Sequence, residues 1–251
     1  MAGHNKWSKV KHRKAVVDKR RSKAWSMCSR AIIVAARAGG GDPGFNFALR
    51  QAIDEARYYN VPGDNIERAI KKGVGGGDGD DYQPVRYEAY GPAGVALIID
   101  ALTDNRTRTA ADVRMILSKH EGKLGASGSV AHMFEHRGRA VVTATLADED
   151  RLLQAALEAG ADDVVHLGSD QGEAAWEVLT PPPALQAVRQ SVERAGLTVG
   201  QCGHEMLPQT TVTLTAAQAE AVAALIDALE DNEDVKRVYS NHLAPDADGA
   251  P

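Results

Sequence analysis

The run from Gly73 to Asp81, GVGGGDGDD, constrains this chain more than any other segment. Five of its residues lack a side chain, and three neighbouring aspartates repel one another. Such a stretch buries nothing and loses much conformational entropy on ordering, so it reads as a flexible linker between packed bodies. The residues before it show helical periodicity only. Those after it alternate between strand and helix patterns. With 251 residues in all, and about 100–150 residues to a typical domain, two or three small domains are expected.

Before the linker, Trp25, Cys28, Ala31, Ile32 and Ala35 recur at three- and four-residue intervals, one stripe of a helix that Gly39-Gly40-Gly41 ends. Ile33 lies on the opposite face, between Arg30 and Arg37. A second helix runs from about Phe45 to Tyr59, with Leu49, Ala52, Ile53 and Ala56 inward. A third is predicted with Asp64 as its cap and Glu67 reaching back, with Ile66, Ala69 and Ile70 inward and Gly73 as its stop. Residues 1–76 thus form a basic N-terminal domain of three helices.

After the linker, strands are predicted at Val85–Tyr90, Val95–Ala101 and Ser129–Phe134, with a turn at Gly91-Pro92-Ala93-Gly94 and a helix over Thr107–His120. The next block reads β-α-β-β-α-β: Arg139–Thr145, Glu149–Ala159, Asp163–Leu167, Ala174–Leu179, Pro182–Ala195 and Thr198–Met206. That order describes a ferredoxin-like domain. Strand Thr210–Leu214, helix Ala216–Leu229 with a Thr215/Gln218 capping box, and strand Val235–Tyr239 follow. They complete a second β-α-β-β-α-β pattern begun before residue 136. The expectation is an α+β multidomain chain, an N-terminal three-helix domain followed by two ferredoxin-like α/β domains, one inserted into the other. Residues 82–136 plus 207–243 make the discontinuous domain, 137–206 the inserted one, and 244–251 (APDADGAP) a disordered tail.

Charge supplies the functional signal. The whole chain has a formal net charge of −5, yet Met1 to Lys72 hold 16 Lys plus Arg against 6 Asp plus Glu, a net of +10. The remainder holds 13 basic and 28 acidic residues, a net of −15. This asymmetry points to a basic module for polyanions attached to an acidic body. The candidate contacts are His4, Lys6, Trp7, Lys9, Lys11, His12, Arg13, Lys14, Lys19, Arg20, Arg21 and Lys23. Cations every two or three residues neutralise successive phosphates and release counterions, and the Trp7 indole suits stacking on an unpaired base. Arg106 and Arg108, with Arg114 nearby, form a second candidate at the start of a helix, where cations oppose the macrodipole unless an anion or an acidic partner compensates. Salt bridges to the acidic body explain those arginines equally well.

Catalytic and metal chemistry find little support. His132 and His136 stand four apart on an expected strand, with no third ligand nearby. The Cys202-Gly203-His204 triplet has only Cys28 as a thiol companion. The linker glycines lack the Gly-Lys-Ser/Thr ending of a phosphate loop. Ser127 and Ser129, around Gly128, read as a turn, and Glu88, Asp100 and Asp104 come with no cofactor motif. No catalytic group, metal or cofactor is therefore expected. Two cysteines in unrelated contexts, and no apolar run approaching about 20 residues, suggest a reduced cytoplasmic protein with no membrane partner. A monomer that takes no small-molecule substrate is the expected state.

The motifs then carry a resemblance. Met1-Ala2-Gly3-His4-Asn5-Lys6-Trp7, Lys11-His12-Arg13-Lys14, Val34-Ala35-Ala36-Arg37 and the run Asp64 to Gly73 (DNIERAIKKG) resemble the YebC family. Tyr87 to Pro92 (YEAYGP), Ala101 to Arg106 (ALTDNR), Gly128-Ser129-Val130, Leu225 to Glu230 and Val238-Tyr239-Ser240-Asn241 follow in the family's order. The chain departs from the family around Trp25–Ser29 and at Phe45–Ala48. The resemblance implies three domains, one helical and two α/β, and a regulator of transcription that binds DNA, with no cofactor or enzymatic activity. It also implies a possible partner in the ribosome and its RNA, since mitochondrial relatives activate translation and bacterial members are linked to ribosomes stalled on proline-rich stretches. A motif that begins at residue 1 suggests a bacterial cytoplasmic protein.

Overall fold

A computed structural model describes residues 21–75, 81–170 and 173–243. The basic start through Arg20, the linker residues 76–80 and the tail 244–251 lie outside the described residues. Three helices come first: α1 (Arg21–Gly39), α2 (Phe47–Tyr58) and α3 (Gly63–Val74). The inner face of α2 is the predicted one, with Leu49, Ala52, Ile53 and Ala56 buried. Helix α3 starts earlier than its capping pattern suggested. The Pro62 carbonyl accepts from the amides of Asn65 and Ile66, so Asp64 falls inside the first turn. An acid in that turn still complements the amide end of the helix dipole.

The described chain divides into two compact units. One contains the described residues through Cys28, Phe47–Glu67 and His136–Glu205. Its sheet is built from β4 (Phe134–Ala144), β5 (Asp163–Asp170), β6 (Glu173–Thr180) and β7 (Thr198–Pro208) in the order β5-β6-β4-β7. The strands β4/β6 and β5/β6 pair antiparallel. This is the ferredoxin-like arrangement expected from the element order. Helices α5 (Glu149–Glu158) and α6 (Leu185–Arg194) place Leu152, Ala156, Leu185, Val188 and Val192 against Ala140, Val142, Trp176 and Val178. Burying each large side chain of this core contributes about 2 kcal/mol. On the opposite face, Arg139 lies between Glu177 (2.6 Å) and Glu205 (3.6 Å), each side chain largely covered. Within the same unit, Trp25 Nε1 donates to the Tyr59 carbonyl (3.0 Å) and Arg189 on α6 pairs with Asp54 on α2.

The other unit contains Ser29–Asn46, Arg68–Glu135 and the described residues from Met206. Its sheet has the order β3-β1-β2-β9, from β1 (Gln83–Tyr90), β2 (Ala96–Thr103), β3 (Lys123–Leu124) and β9 (Val235–Ser240). The hairpin β1/β2 runs in unbroken antiparallel register from Gln83↔Thr103 to Tyr90↔Ala96 and forms the centre of the sheet. Helices α4 (Arg106–Lys119) and α7 (Ala216–Asp231) cover one face, packing Val113, Leu117, Val222, Leu225 and Leu229 on Ala89, Val95, Leu97 and Ile99. Thr215 and Gln218 form the predicted capping box of α7. On the other face, Ala96 and Ile98 are covered by Val130, Phe134 and Met206. A short parallel pair, β8 (Val212–Thr213) with β10 (His242–Leu243), completes the unit.

Two expected strands differ here. Residues 129–133 are not a strand; they include a 3₁₀ turn, Ala131–Met133, and Phe134 already opens β4. The edge of the sheet is instead the two-residue β3. A segment laid across a sheet face buries apolar side chains as a strand does, so hydrophobic pattern does not separate the two. Likewise the Thr210–Leu214 strand shrinks to Val212–Thr213, with Leu214 buried in the core ahead of α7.

Candidate nucleic-acid interface

The candidate contacts divide by where they fall. His4, Lys6, Trp7, Lys9, Lys11, His12, Arg13, Lys14, Lys19 and Arg20 lie outside the described residues. Arg21 is part of α1, and Lys23, two residues on, is half-buried. Arg106 and Arg108 occupy the first turn of α4, as the sequence placed them.

Asn105 caps that helix, its side chain accepting from the Arg108 amide (3.0 Å). The Arg108 guanidinium donates to Asp104 and to Asp234, both at 2.8 Å. Asp234 also accepts from the Thr109 hydroxyl (2.8 Å), the Thr103 hydroxyl (3.3 Å) and Arg30 of α1 (3.0 Å). Burial pushes the Asp234 carboxyl up, but the hydrogen bonds from Arg108 and Thr109 and the charges of Arg108 and Arg30 outweigh it. The carboxyl is held below its ordinary range. Arg108, though half-exposed, is thus engaged by two carboxylates of the protein's own, its pKa raised by the Asp234 and Asp104 bonds. Arg106 is exposed, its carbonyl accepting from the Tyr87 hydroxyl (3.3 Å).

A second buried acid organises the neighbouring loop. Glu88, on β1, accepts from the amides of Gly128 (2.6 Å), Val130 (2.7 Å) and Ala131 (2.8 Å). Burial raises its pKa, yet these three amides together with Arg86 bring it below the usual carboxylate range. Glu88 is thus an anchor whose oxygens are occupied by backbone. Arg86 beside it pairs with Asp100 through two hydrogen bonds (2.6 and 2.9 Å). His132 stands exposed in its 3₁₀ turn, while the His136 ring lies 5.2 Å from that of His204.

The structure adds cations that the sequence reading passed over. Arg68, Lys71 and Lys72 are exposed along α3, and Arg37 near the end of α1 pairs with Asp81 (2.7 Å). These ends meet closely. A Cβ built on Gly73 would stand 2.7 Å from the Ile33 carbonyl and from the Ala36 side chain. The three- and four-residue spacing of Arg68, Lys71 and Lys72 was the available signal, because it sets them on adjoining positions of one helix surface.

An N-terminal helical region with a basic excess, followed by two four-stranded sheets that carry helices, defines a multidomain α+β protein. The chain matches the TACO1/YebC N-terminal domain over residues 5–76 and the TACO1/YebC second and third domain over residues 82–242, and it belongs to that family. It is 49% identical over 242 residues to a protein of Rubrobacter xylanophilus named "Probable transcriptional regulatory protein", covering 96% of this chain and 95% of that one. A Cupriavidus necator protein of the same description is 48% identical, covering 98% of this chain and all of its own length, 100%. The crystal structure of a conserved hypothetical protein from Aquifex aeolicus superposes with a TM-score of 0.81 at 40% identity, covering 94% of this chain and 95% of that one. Among the described residues, no helix is long and apolar enough to cross a membrane.

Proposed function

We propose that this chain is a non-enzymatic, nucleic-acid-binding regulator of gene expression that holds its target through the basic N-terminal region. The observation that carries this reading is the partition of charge, +10 through Lys72 against −15 beyond it. Relatives named as transcriptional regulators support it. The principal contacts are Lys6, Trp7, Lys9, Lys11, His12, Arg13 and Lys14, extended by Arg68, Lys71 and Lys72.

The test is a binding titration of the full chain on labelled DNA and RNA across a range of salt. Replacing Lys11, Arg13 and Lys14 with Ala removes about three phosphate contacts and lowers the magnitude of the salt slope by about 2–3. An unchanged slope removes that segment from the interface.

A second reading, a translation factor that binds ribosomal RNA and relieves stalling on proline-rich stretches, is favoured by the outward face of α3. It carries the cations Arg68, Lys71 and Lys72 beside Glu67, and these cations suit phosphate contact better than base readout in a duplex groove. Sedimentation of DNase-treated lysate through sucrose separates the two. Co-migration with ribosomal particles, lost in the triple variant, selects translation; a protein left at the top of the gradient, bound to DNA in the titration, selects transcription.

A further inference from the structure

The geometry points to a base-stacking site for single-stranded RNA or DNA at the loop between α1 and α2, with Phe45 as its platform and Lys71 and Lys72 as its phosphate contacts. This inference deepens the nucleic-acid reading above and rests on it. Phe45 is 93% exposed, the most open of the large apolar side chains among the described residues. An aromatic ring left in water is costly, and the loop around it is tightly braced. Asn46, buried beside it, donates through Nδ2 to the carbonyls of Ala35 and Gly40, both at 2.8 Å. The Asp42 carboxylate accepts from the Gly44 amide (2.7 Å), and the Asp42 carbonyl accepts from the amides of Phe45 (3.2 Å) and Asn46 (2.9 Å). The backbone is thus set on both sides of an aromatic ring that stands almost wholly in solvent.

The loop that carries this ring reaches the cationic end of α3. Gly41, in the same loop, lies against the end of α3. A Cβ there would stand 2.7 Å from Val74 and 3.2 Å from Ile70. Lys71 and Lys72 occupy the last turn of α3, both exposed, and Gly73 brings that turn onto the end of α1 that carries Arg37. An exposed aromatic in a loop that meets a helix end carrying two exposed lysines matches the π-face of an unpaired base together with its flanking phosphates. A duplex keeps its bases stacked and offers the ring no such face. An apolar protein partner is disfavoured by the same lysines, which would have to be desolvated beside it.

The experiment uses the full chain with two fluorescent probes, a twelve-nucleotide oligouridine and a blunt RNA duplex of equal length. Phe45→Ala removes no packing from the core, so the variant folds as the parent does. Expected is a loss of about tenfold in affinity for oligouridine with the salt slope unchanged, and no change on the duplex. Phe45→Trp keeps the affinity and its added emission is quenched on binding. Lys71→Ala with Lys72→Ala instead flattens the salt slope on both probes. Parent binding that Phe45→Ala leaves intact overturns the stacking site while the nucleic-acid reading stands. A parent chain that binds neither probe overturns the stacking site, and the titration on labelled DNA then decides the nucleic-acid reading. A change of sedimenting mass in Phe45→Ala shows that the ring seats a second copy of the chain and overturns the inference.

Discussion

Arg108, in the first turn of α4, donates to the buried carboxylate of Asp234 at 2.8 Å, joining two residues 126 apart in sequence. The turn before β9 is thereby tied to the start of a helix whose cap and first turn are otherwise local. Asp234 carries the larger share of this arrangement, because its side chain is 6% exposed whereas that of Arg108 is 47% exposed. Asp234→Ala leaves Arg30, Thr103 and Thr109 without their shared acceptor and should cost about 3 kcal/mol. Arg108→Ala, partly replaced by water, should cost about 1 kcal/mol. Urea unfolding midpoints of the two variants measure this, and equal losses would contradict the asymmetry.

Glu88 gives the acid limb of stability its shape. Its carboxyl is depressed in the folded state, so its contribution is complete above the unfolded value of about 4 and is lost as pH falls through the lower folded one. Asp234 acts with the same sign. Glu88→Gln should flatten the decline below pH 5 and cost about 2 kcal/mol at pH 7, since an amide satisfies fewer of the three backbone donors. Unfolding curves between pH 3 and 7 test both statements. An acid limb identical to the parent's would remove Glu88 from it.

Gly73 tests the closeness of α1 and α3. Gly73→Ala brings a methyl group to 2.7 Å from the Ile33 carbonyl, a backbone atom that cannot swing aside. Helix propensity favours the change by about 1 kcal/mol, yet overpacking at this separation costs about 1–3 kcal/mol. A net destabilisation is expected, and a rise in melting temperature would show that the helices separate readily.

Cys202 should be a sluggish thiol. Burial pushes it up to about 11, outweighing the pull of Arg189. At pH 8 its thiolate fraction is on the order of a hundredth of that of an ordinary cysteine. Iodoacetamide labelling of the native protein, followed by mass spectrometry, should find the peptide around Cys202 modified only after unfolding. Prompt modification at pH 8 would contradict the burial.

Local order was legible wherever neighbours in sequence are also neighbours in space. The stripe Leu49, Ala52, Ile53 and Ala56 located the buried face of α2, and Thr215 with Gln218 announced the start of α7. Six elements in β-α-β-β-α-β order led to the sheet β5-β6-β4-β7, because short connections and alternating side chains leave few ways to bury both helices. The concentration of cations before Lys72 is likewise a property of sequence alone.

Tertiary structure decided what depended on distant partners. Val130 and Phe134 carry the apolar pattern of a strand, but they cover Ala96 and Ile98 from outside the sheet, and Glu88 holds the loop there through backbone amides that no side-chain pattern encodes. Arg108 was as consistent with phosphate as with a carboxylate until Asp234 reached it from beyond the inserted strands. Phe45 read as the start of a helix and proved an exposed ring in a braced loop. Periodicity reports which side chains avoid water along one element, whereas the partner of a charge or a ring is set by where the rest of the chain returns.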